Sequence, residues 1–328
     1  MKIAYTGTQF PVSMQEEMQE FSRGKGYTFD IIQHETRDLW DFRERLKGYD
    51  AVISAGEKFA SRTMEYLLPE LRVISRHGIG TDEIDREFAT KNGIAVCNAA
   101  GTLSSCVAEC ALALILNTLH GYAQLDAEVR AGRWGANSEY TGELRGRTVG
   151  LLGFGGIARE LARFVRAFDC EVLANDPVFD REVAGKLGVN QASLGEICRR
   201  SDIISIHVPL MDSTRGMVDM AFLRKMKSTA ILINTSRGPV VNEADLYNAL
   251  AEGVIAGAGL DVFEQEPVDP DNPLLALKNV TLLPHAAART YEGQQGAGLM
   301  ACRNAIALLE DRAPESLLNP DYVKYLKG

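Results

Sequence analysis

The sequence has no apolar run long enough to cross a membrane. Its longest unbroken one is Cys110–Leu116, whereas a spanning helix needs about 20 residues. The opening MKIAYTGTQF has no apolar core of signal-peptide length. Cysteine is scarce, with 6 in 328 residues, and none falls in a C-x-x-C pair. Cys106 and Cys110 stand four apart within a helical pattern. This excludes a disulfide framework and leads us to expect reduced, mostly buried thiols in a cytoplasmic protein. Positive charge is in deficit: 35 Lys and Arg face 44 Asp and Glu, a net charge of −9. Non-specific nucleic-acid binding needs clustered positive charge and is not expected. A small anionic substrate remains open, because a cleft sets its own local field. We read no metal-ligating set, no repeat of fixed period and no low-complexity segment.

What is present is ordinary for a globular protein of about two domains: 46% hydrophobic and 24% charged residues. Short β-rich runs alternate with helical stretches, the pattern of parallel sheets with helices on both faces. Strands are expected at residues 2–5, 28–33, 51–54, 72–75 and 94–97, with helices at 16–23, 39–47, 61–68 and 84–92 between them. A helical pattern from about 103 to 130 is too long for a simple crossover and reads as the element joining two units. A polar, Gly-rich stretch (131–146) follows. The alternation then restarts, with strands expected at 149–153, 171–175, 203–207, 230–234, 257–261 and 280–283, and a last helix at about 291–311. Ligands of open α/β sheets bind at strand carboxyl ends, and domain interfaces favour pockets. Chemistry is therefore expected in a cleft between the units.

Residues 149–158, VGLLGFGGIA, place Gly153, Gly155 and Ala158 in a G-x-G-x-x-G/A turn that follows an apolar strand and opens a helix (157–168). Gly153 permits the tight turn and Gly155 lets the backbone approach a pyrophosphate. The small third residue lets helix pack on sheet, and the helix amino end favours the anion. The next strand ends in Asp176, 23 residues after Gly153. A carboxylate there accepts hydrogen bonds from the ribose hydroxyls of NAD and repels the 2′-phosphate of NADP. The nearby Arg181 keeps NADP in view.

Of five histidines, His34 and His120 read as structural or solvent-facing. His285 is different: it follows the apolar VTLLP at a strand end. Two other strand ends deliver Arg237 and Glu266. Taken singly these are a turn arginine, a loop glutamate and a packed histidine. Together they are complete for reducing a 2-oxo acid. Arg237 can grip the carboxylate and polarise the carbonyl through its planar fork of donors. His285 can protonate the oxygen as hydride reaches carbon. Glu266 can hold the imidazole in one tautomer and stabilise its charged form.

The chain resembles the D-isomer-specific 2-hydroxyacid dehydrogenase family, of the phosphoglycerate dehydrogenase-like kind. The motifs that carry the likeness, in order, are SRHGIGTDEID (75–85), VAE (107–109), GLLGFGGIA (150–158), HVPL (207–210), INTSRG (233–238), GLDVFEQEP (259–267) and LLPHAA (282–287). The resemblance implies two Rossmann-like doubly wound domains. An NAD-binding domain (101–288) is inserted into a discontinuous, flavodoxin-like substrate domain (1–100 plus 289–328). Arg237, Glu266 and His285 match the family's catalytic residues. Gly153, Gly155, Gly156 and Ile157 match the pyrophosphate turn, and Asp176 the ribose carboxylate. His207, Val208, Pro209 and Thr214 match the adenine-side loop, Thr235 and Asp261 the nicotinamide side, and Ser236 and Ala287 are further cofactor contacts. Ile79 and Gly80 match the loop that, with Arg237 and His285, receives the substrate; exposed glycine amides suit an anion. A homodimer through the cofactor domain is implied, with the 103–130 segment and the loop after it as contacts. Asp82-Glu83 stands where many relatives have Asp-Asn, a change with no physical account here.

Two alternatives share the scaffold: an NAD(H)-sensing, corepressor-like binding protein, and formate dehydrogenase, which Glu266 in place of Gln counts against. Lys58, Arg76, His77 and Arg289 are candidates for a substrate phosphate or second carboxylate, leaving 3-phosphoglycerate, glycerate/hydroxypyruvate, glyoxylate and larger 2-oxo acids all in play.

Overall fold

The computed structural model describes residues 1–36, 38–134 and 141–326. The chain forms two compact units, Met1–Leu103 with the segment from Thr290 onward, and Ser104–Arg289.

The first unit holds β1 (Lys2–Tyr5), β2 (Thr28–Ile31), β3 (Ala51–Ser54), β4 (Val73–Arg76) and β5 (Ala95–Cys97). They form a parallel sheet in the order β2-β1-β3-β4-β5, the flavodoxin-like doubly wound order. Period-2 alternation sorts its side chains. Ile3, Tyr5, Ile53, Val73 and Cys97 face one core, with Ala301, Cys302 and Ile306 of the helix Tyr291–Leu309. Ala4, Val52, Ile74 and Val96 face the other, with Leu39, Phe59 and Met64. Both faces are covered, so the strands read as continuous apolar runs.

The second unit holds β6 (Thr148–Leu152), β7 (Glu171–Asn175), β8 (Val189–Gln191), β9 (Ile203–Ile206), β10 (Ile231–Asn234), β11 (Gly257–Leu260) and β12 (Val280–Leu282). All run parallel in the order β12-β11-β10-β9-β6-β7-β8. The order reverses between β6 and β9, the switch point at which Rossmann sheets take their ligand. Again the faces alternate: Val149, Leu151, Ile203, Ile231 and Ile233 enter one core, Leu152, Ile204, Ile206 and Leu232 the other.

Three expectations are corrected. The 103–130 pattern is not one helix but two, Ser104–His120 and Tyr122–Arg130, bent by 65°. Gly121 between them is left-handed, at φ 64°. The expected 39–47 helix is one α-turn, Leu39–Phe42, followed by a tighter 3₁₀ turn, Arg43–Leu46. The edge strand β8 was not foreseen. Of the expected Gly-rich loop, residues 135–140 lie outside the described residues. Among the described residues no single helix is long and apolar enough to cross a membrane.

Candidate active site

In the second unit the site is built at strand carboxyl ends. The β6–β9 register, Leu152 opposite Ile206, sets Gly153 beside His207, whose amide donates to the Leu152 carbonyl (2.7 Å). Gly153 takes φ +95°, and a Cβ there would lie 2.9 Å from the His207 carbonyl group. Only glycine permits both. The helix Gly156–Arg166 begins directly after this turn, and nothing lies within 4 Å of a Cβ built on Gly155. The backbone there is open to an approaching pyrophosphate, as a dinucleotide requires. Ile157 packs partly buried on the core behind the turn.

Asp176 follows β7. Its Oδ2 accepts from the Phe154 amide (2.8 Å) and its Oδ1 from the Val178 amide (2.8 Å). The carboxylate thus ties the glycine turn to its own strand end and keeps lone pairs for a diol. Desolvation pushes the His207 imidazole down to about 4. Its Nε2 lies 2.9 Å from Ser205 Oγ. Ser205 is a contact not foreseen, although residues two apart on a strand share a face. The loop after β9 is closed by Thr214, whose hydroxyl donates to the Pro209 carbonyl (2.6 Å). The Val208 carbonyl accepts from the Ser236 hydroxyl. Thr235 Oγ1 is buried with no hydrogen-bond partner among the described residues. Such an orphan is costly unless a ligand satisfies it. The residues present therefore fit a bound dinucleotide.

The catalytic candidates stand beside this. His285 is left-handed, at φ 52°. Its amide donates to the Asp261 carbonyl (2.8 Å). The Asp261 side chain accepts from the amides of Ala286 (2.7 Å) and Ala287 (2.9 Å). Burial raises the Asp261 carboxyl more than these amides lower it. One buried aspartate thus shapes the turn that presents the imidazole. His285 Nδ1 lies 2.6 Å from Glu266 Oε2, and Glu266 Oε1 accepts from the Phe263 amide (3.1 Å). Burial works to raise the Glu266 carboxyl, but these hydrogen bonds and the charges of His285 and Arg237 outweigh it and hold it below its ordinary value. Arg237 is therefore electrostatically coupled to the pair. With Glu266 on Nδ1, the Nε2 of His285 is the ring nitrogen left to donate or accept a hydrogen bond, and the side chain is 50% exposed.

Ile79 and Gly80 belong to the first unit. Asn98 Nδ2 donates to the Ile79 carbonyl (2.8 Å) and the Ala99 amide to the Gly78 carbonyl (2.9 Å), shaping that loop. Of the other substrate-cation candidates, Lys58 and Arg289 are exposed and Arg76 is half-buried. Arg76 donates to Ser54 Oγ (3.2 Å). His77 is not available. It is buried, with Nδ1 on the Tyr5 hydroxyl (2.9 Å) and Nε2 on the Gln294 carbonyl (2.8 Å). Burial pushes it down to about 4. His34 and His120 are structural, as expected: His34 lies between the carbonyls of Thr36 and Thr6, and His120 stacks on Tyr122.

Comparison with known proteins gives the family. Residues 112–287 match the family model described as the D-isomer specific 2-hydroxyacid dehydrogenase NAD binding domain. A glyoxylate reductase of Korarchaeum cryptofilum is 38% identical over 307 residues, covering 90% of this chain and 92% of its own. A D-3-phosphoglycerate dehydrogenase of Archaeoglobus fulgidus is 34% identical over 309 residues, 94% of this chain but 58% of that longer protein. The crystal structure of a glyoxylate reductase from Paecilomyes thermophila superposes with a TM-score of 0.87 at 27% identity, covering 97% of this chain and 98% of that one. The chain belongs to the D-isomer-specific 2-hydroxyacid dehydrogenase family and is an NAD-dependent oxidoreductase acting on CH–OH groups.

Proposed function

We propose that the protein interconverts a small 2-oxo acid and its D-2-hydroxy acid, with glyoxylate the first substrate to try and hydroxypyruvate the second. The observation that carries this reading is the 2.6 Å His285–Glu266 pair beside Arg237 at adjacent strand ends. Arg237 binds the substrate carboxylate and draws electron density from the ketone oxygen. His285 Nε2 gives that oxygen its proton, and in reverse removes it from the hydroxyl. Glu266 fixes the tautomer and balances the charge on the ring. Bound NADH supplies the hydride.

In this reading residues 101–288 hold the cofactor. Gly153, Gly155, Gly156 and Ile157 hold the pyrophosphate, Asp176 the ribose, and His207, Val208, Pro209 and Thr214 the adenine side. Thr235, Ser236, Asp261 and Ala287 take the nicotinamide side. Residues 1–100 with 289–328 hold the substrate, with Ile79 and Gly80 as its backbone contacts. We further propose a homodimer. The helix Tyr122–Arg130 buries none of its residues, and Tyr122, Leu125, Val129 and Trp134 are exposed at 54, 43, 54 and 89%, an apolar surface that suits a second copy. The six free cysteines fit work in the cytoplasm.

The test is NADH oxidation followed by absorbance with glyoxylate, hydroxypyruvate, phosphohydroxypyruvate and larger 2-oxo acids. Turnover of an unphosphorylated two- or three-carbon acid is expected. Turnover of none of them would overturn the reading.

A further inference from the structure

The β10 strand ends in Asn234, which is 1% exposed. Its backbone carbonyl accepts from the Asp261 amide (2.9 Å), so the residue is locked into the sheet. Both halves of its carboxamide are then used within the next three residues. Oδ1 accepts from the Ser236 amide (3.0 Å) and Nδ2 donates to the Arg237 carbonyl (3.0 Å). Among uncharged short side chains only asparagine offers an acceptor and a donor at this reach. Aspartate keeps the acceptor and faces the Arg237 carbonyl with a second oxygen, and serine is too short for both. On the far side of Arg237 the chain is held again. A Cβ on Gly238 would lie 1.9 Å from the Phe263 carbonyl group, so the Arg237 loop rests directly on the loop whose Phe263 amide binds Glu266. Arg237 itself is extended, at φ −144° and ψ 136°. Its Nη1 donates to the Ser236 carbonyl (2.7 Å).

We propose that Asn234 is a positioning residue for Arg237, closing residues 234–237 into a ring that fixes the arginine's backbone and so aims its guanidinium at the substrate carboxylate. This rests on Arg237 binding substrate. Asn234 touches no reacting atom; it removes the backbone freedom that a long side chain would amplify at its tip. The substrate is held through Arg237, whereas the dinucleotide is held mainly at the β6, β7 and β9 ends and only in part by Thr235 and Ser236 within this ring, so the effect falls chiefly on the acid.

The test compares Asn234→Asp and Asn234→Ser, each alone and combined with Arg237→Ala. Rates are normalised to the fraction of protein that binds NADH by fluorescence, so unfolded material does not count. Both single variants are expected to lose roughly tenfold or more in kcat/KM for the 2-oxo acid, chiefly through KM, with NADH affinity within about threefold of wild type. In the Arg237→Ala background they are expected to add little, because the residue they act through is gone. Asn234→Asp carries a further signature. As pH falls its carboxyl gains a proton that can be donated to the Arg237 carbonyl, so its rate relative to wild type rises towards acid, while that of Asn234→Ser does not. Equal losses of NADH and 2-oxo acid binding, or the same fold-loss with and without Arg237, would overturn the proposal. Arg237→Ala with unchanged turnover removes the underlying reading of Arg237 instead, and is seen independently of either Asn234 variant.

Discussion

The carboxyl edges of the two sheets are finished in opposite ways. In the first unit, buried Glu57 gathers donors from its own surroundings. One carboxylate oxygen accepts from Thr6 Oγ1 (2.6 Å), the Ala55 amide (2.9 Å), Ser54 Oγ (3.2 Å) and the Gly56 amide (3.2 Å). His77, one strand over, has both ring nitrogens engaged inside the same unit. In the second unit the polar groups are left ready for something else. Thr235 Oγ1 is buried and unpartnered among the described residues, and His285 is half-exposed with a carboxylate on one nitrogen only. A side chain whose polar atoms are all satisfied within its own unit is scaffold, whereas one that leaves hydrogen-bonding capacity unspent is where ligand binding and proton transfer are to be sought.

The sharpest way to break this contrast is to delete the free imidazole. His285→Ala should lose roughly 10²-fold or more in kcat with NADH affinity retained, as read by steady-state rates beside fluorescence titration. Next comes its partner. Glu266→Gln should cost roughly 10- to 100-fold in kcat, because the ring loses the charge that stabilises its protonated form. The sign of its pH effect follows from the depressed carboxyl. In wild type Glu266 stays charged until pH falls below its ordinary value of 4.5, so both activity and its share of stability are lost only below that point. The Gln variant should lack this acid limb. A smaller effect is expected at the cofactor edge. Asp176→Ala should weaken NADH binding by about tenfold, since it removes both a diol acceptor and the anchor of the Phe154 amide, and should narrow discrimination against NADPH, measured by titrating both.

The smallest effect on activity belongs to the satisfied edge. His77→Gln should leave turnover within about twofold while changing acid stability. Buried His77 and half-buried His207 are lowered from 6.5 to about 4, so the folded protein disfavours protons that the unfolded chain accepts. Stability should be unaffected above pH 6.5 and fall as pH drops from there towards 4, by up to about 1.4 kcal/mol per pH unit for each histidine. Denaturant midpoints at pH 7.5 and 5 should differ less in the His77→Gln protein.

Much of this was legible in the sequence. β1, β3 and β7 fall on the residues that alternation and β-rich composition indicate, because strands buried on both faces are short unbroken apolar runs. The glycine turn and Asp176 are legible because close backbone approach leaves a residue-type signature. Other features are not local. Helical periodicity cannot see that Gly121 turns left-handed, since the apolar spacing continues past it. β8, with the polar Asn190 and Gln191, gains its identity from pairing with β7. That His77 lies beneath the helix starting at Tyr291, while His285 stands half-exposed, depends on contacts 217 residues apart in the chain. The bonds of Asn234 and Ser205 likewise emerge only once the strand ends are in place.

The most direct test of the central claim, that one imidazole on the second unit is both proton donor and proton acceptor, is the pH dependence of single-turnover rates in the two directions. Reduction is expected to slow and oxidation to quicken as pH rises, and His285→Ala to abolish both limbs. Limbs that survive in His285→Ala would contradict the assignment.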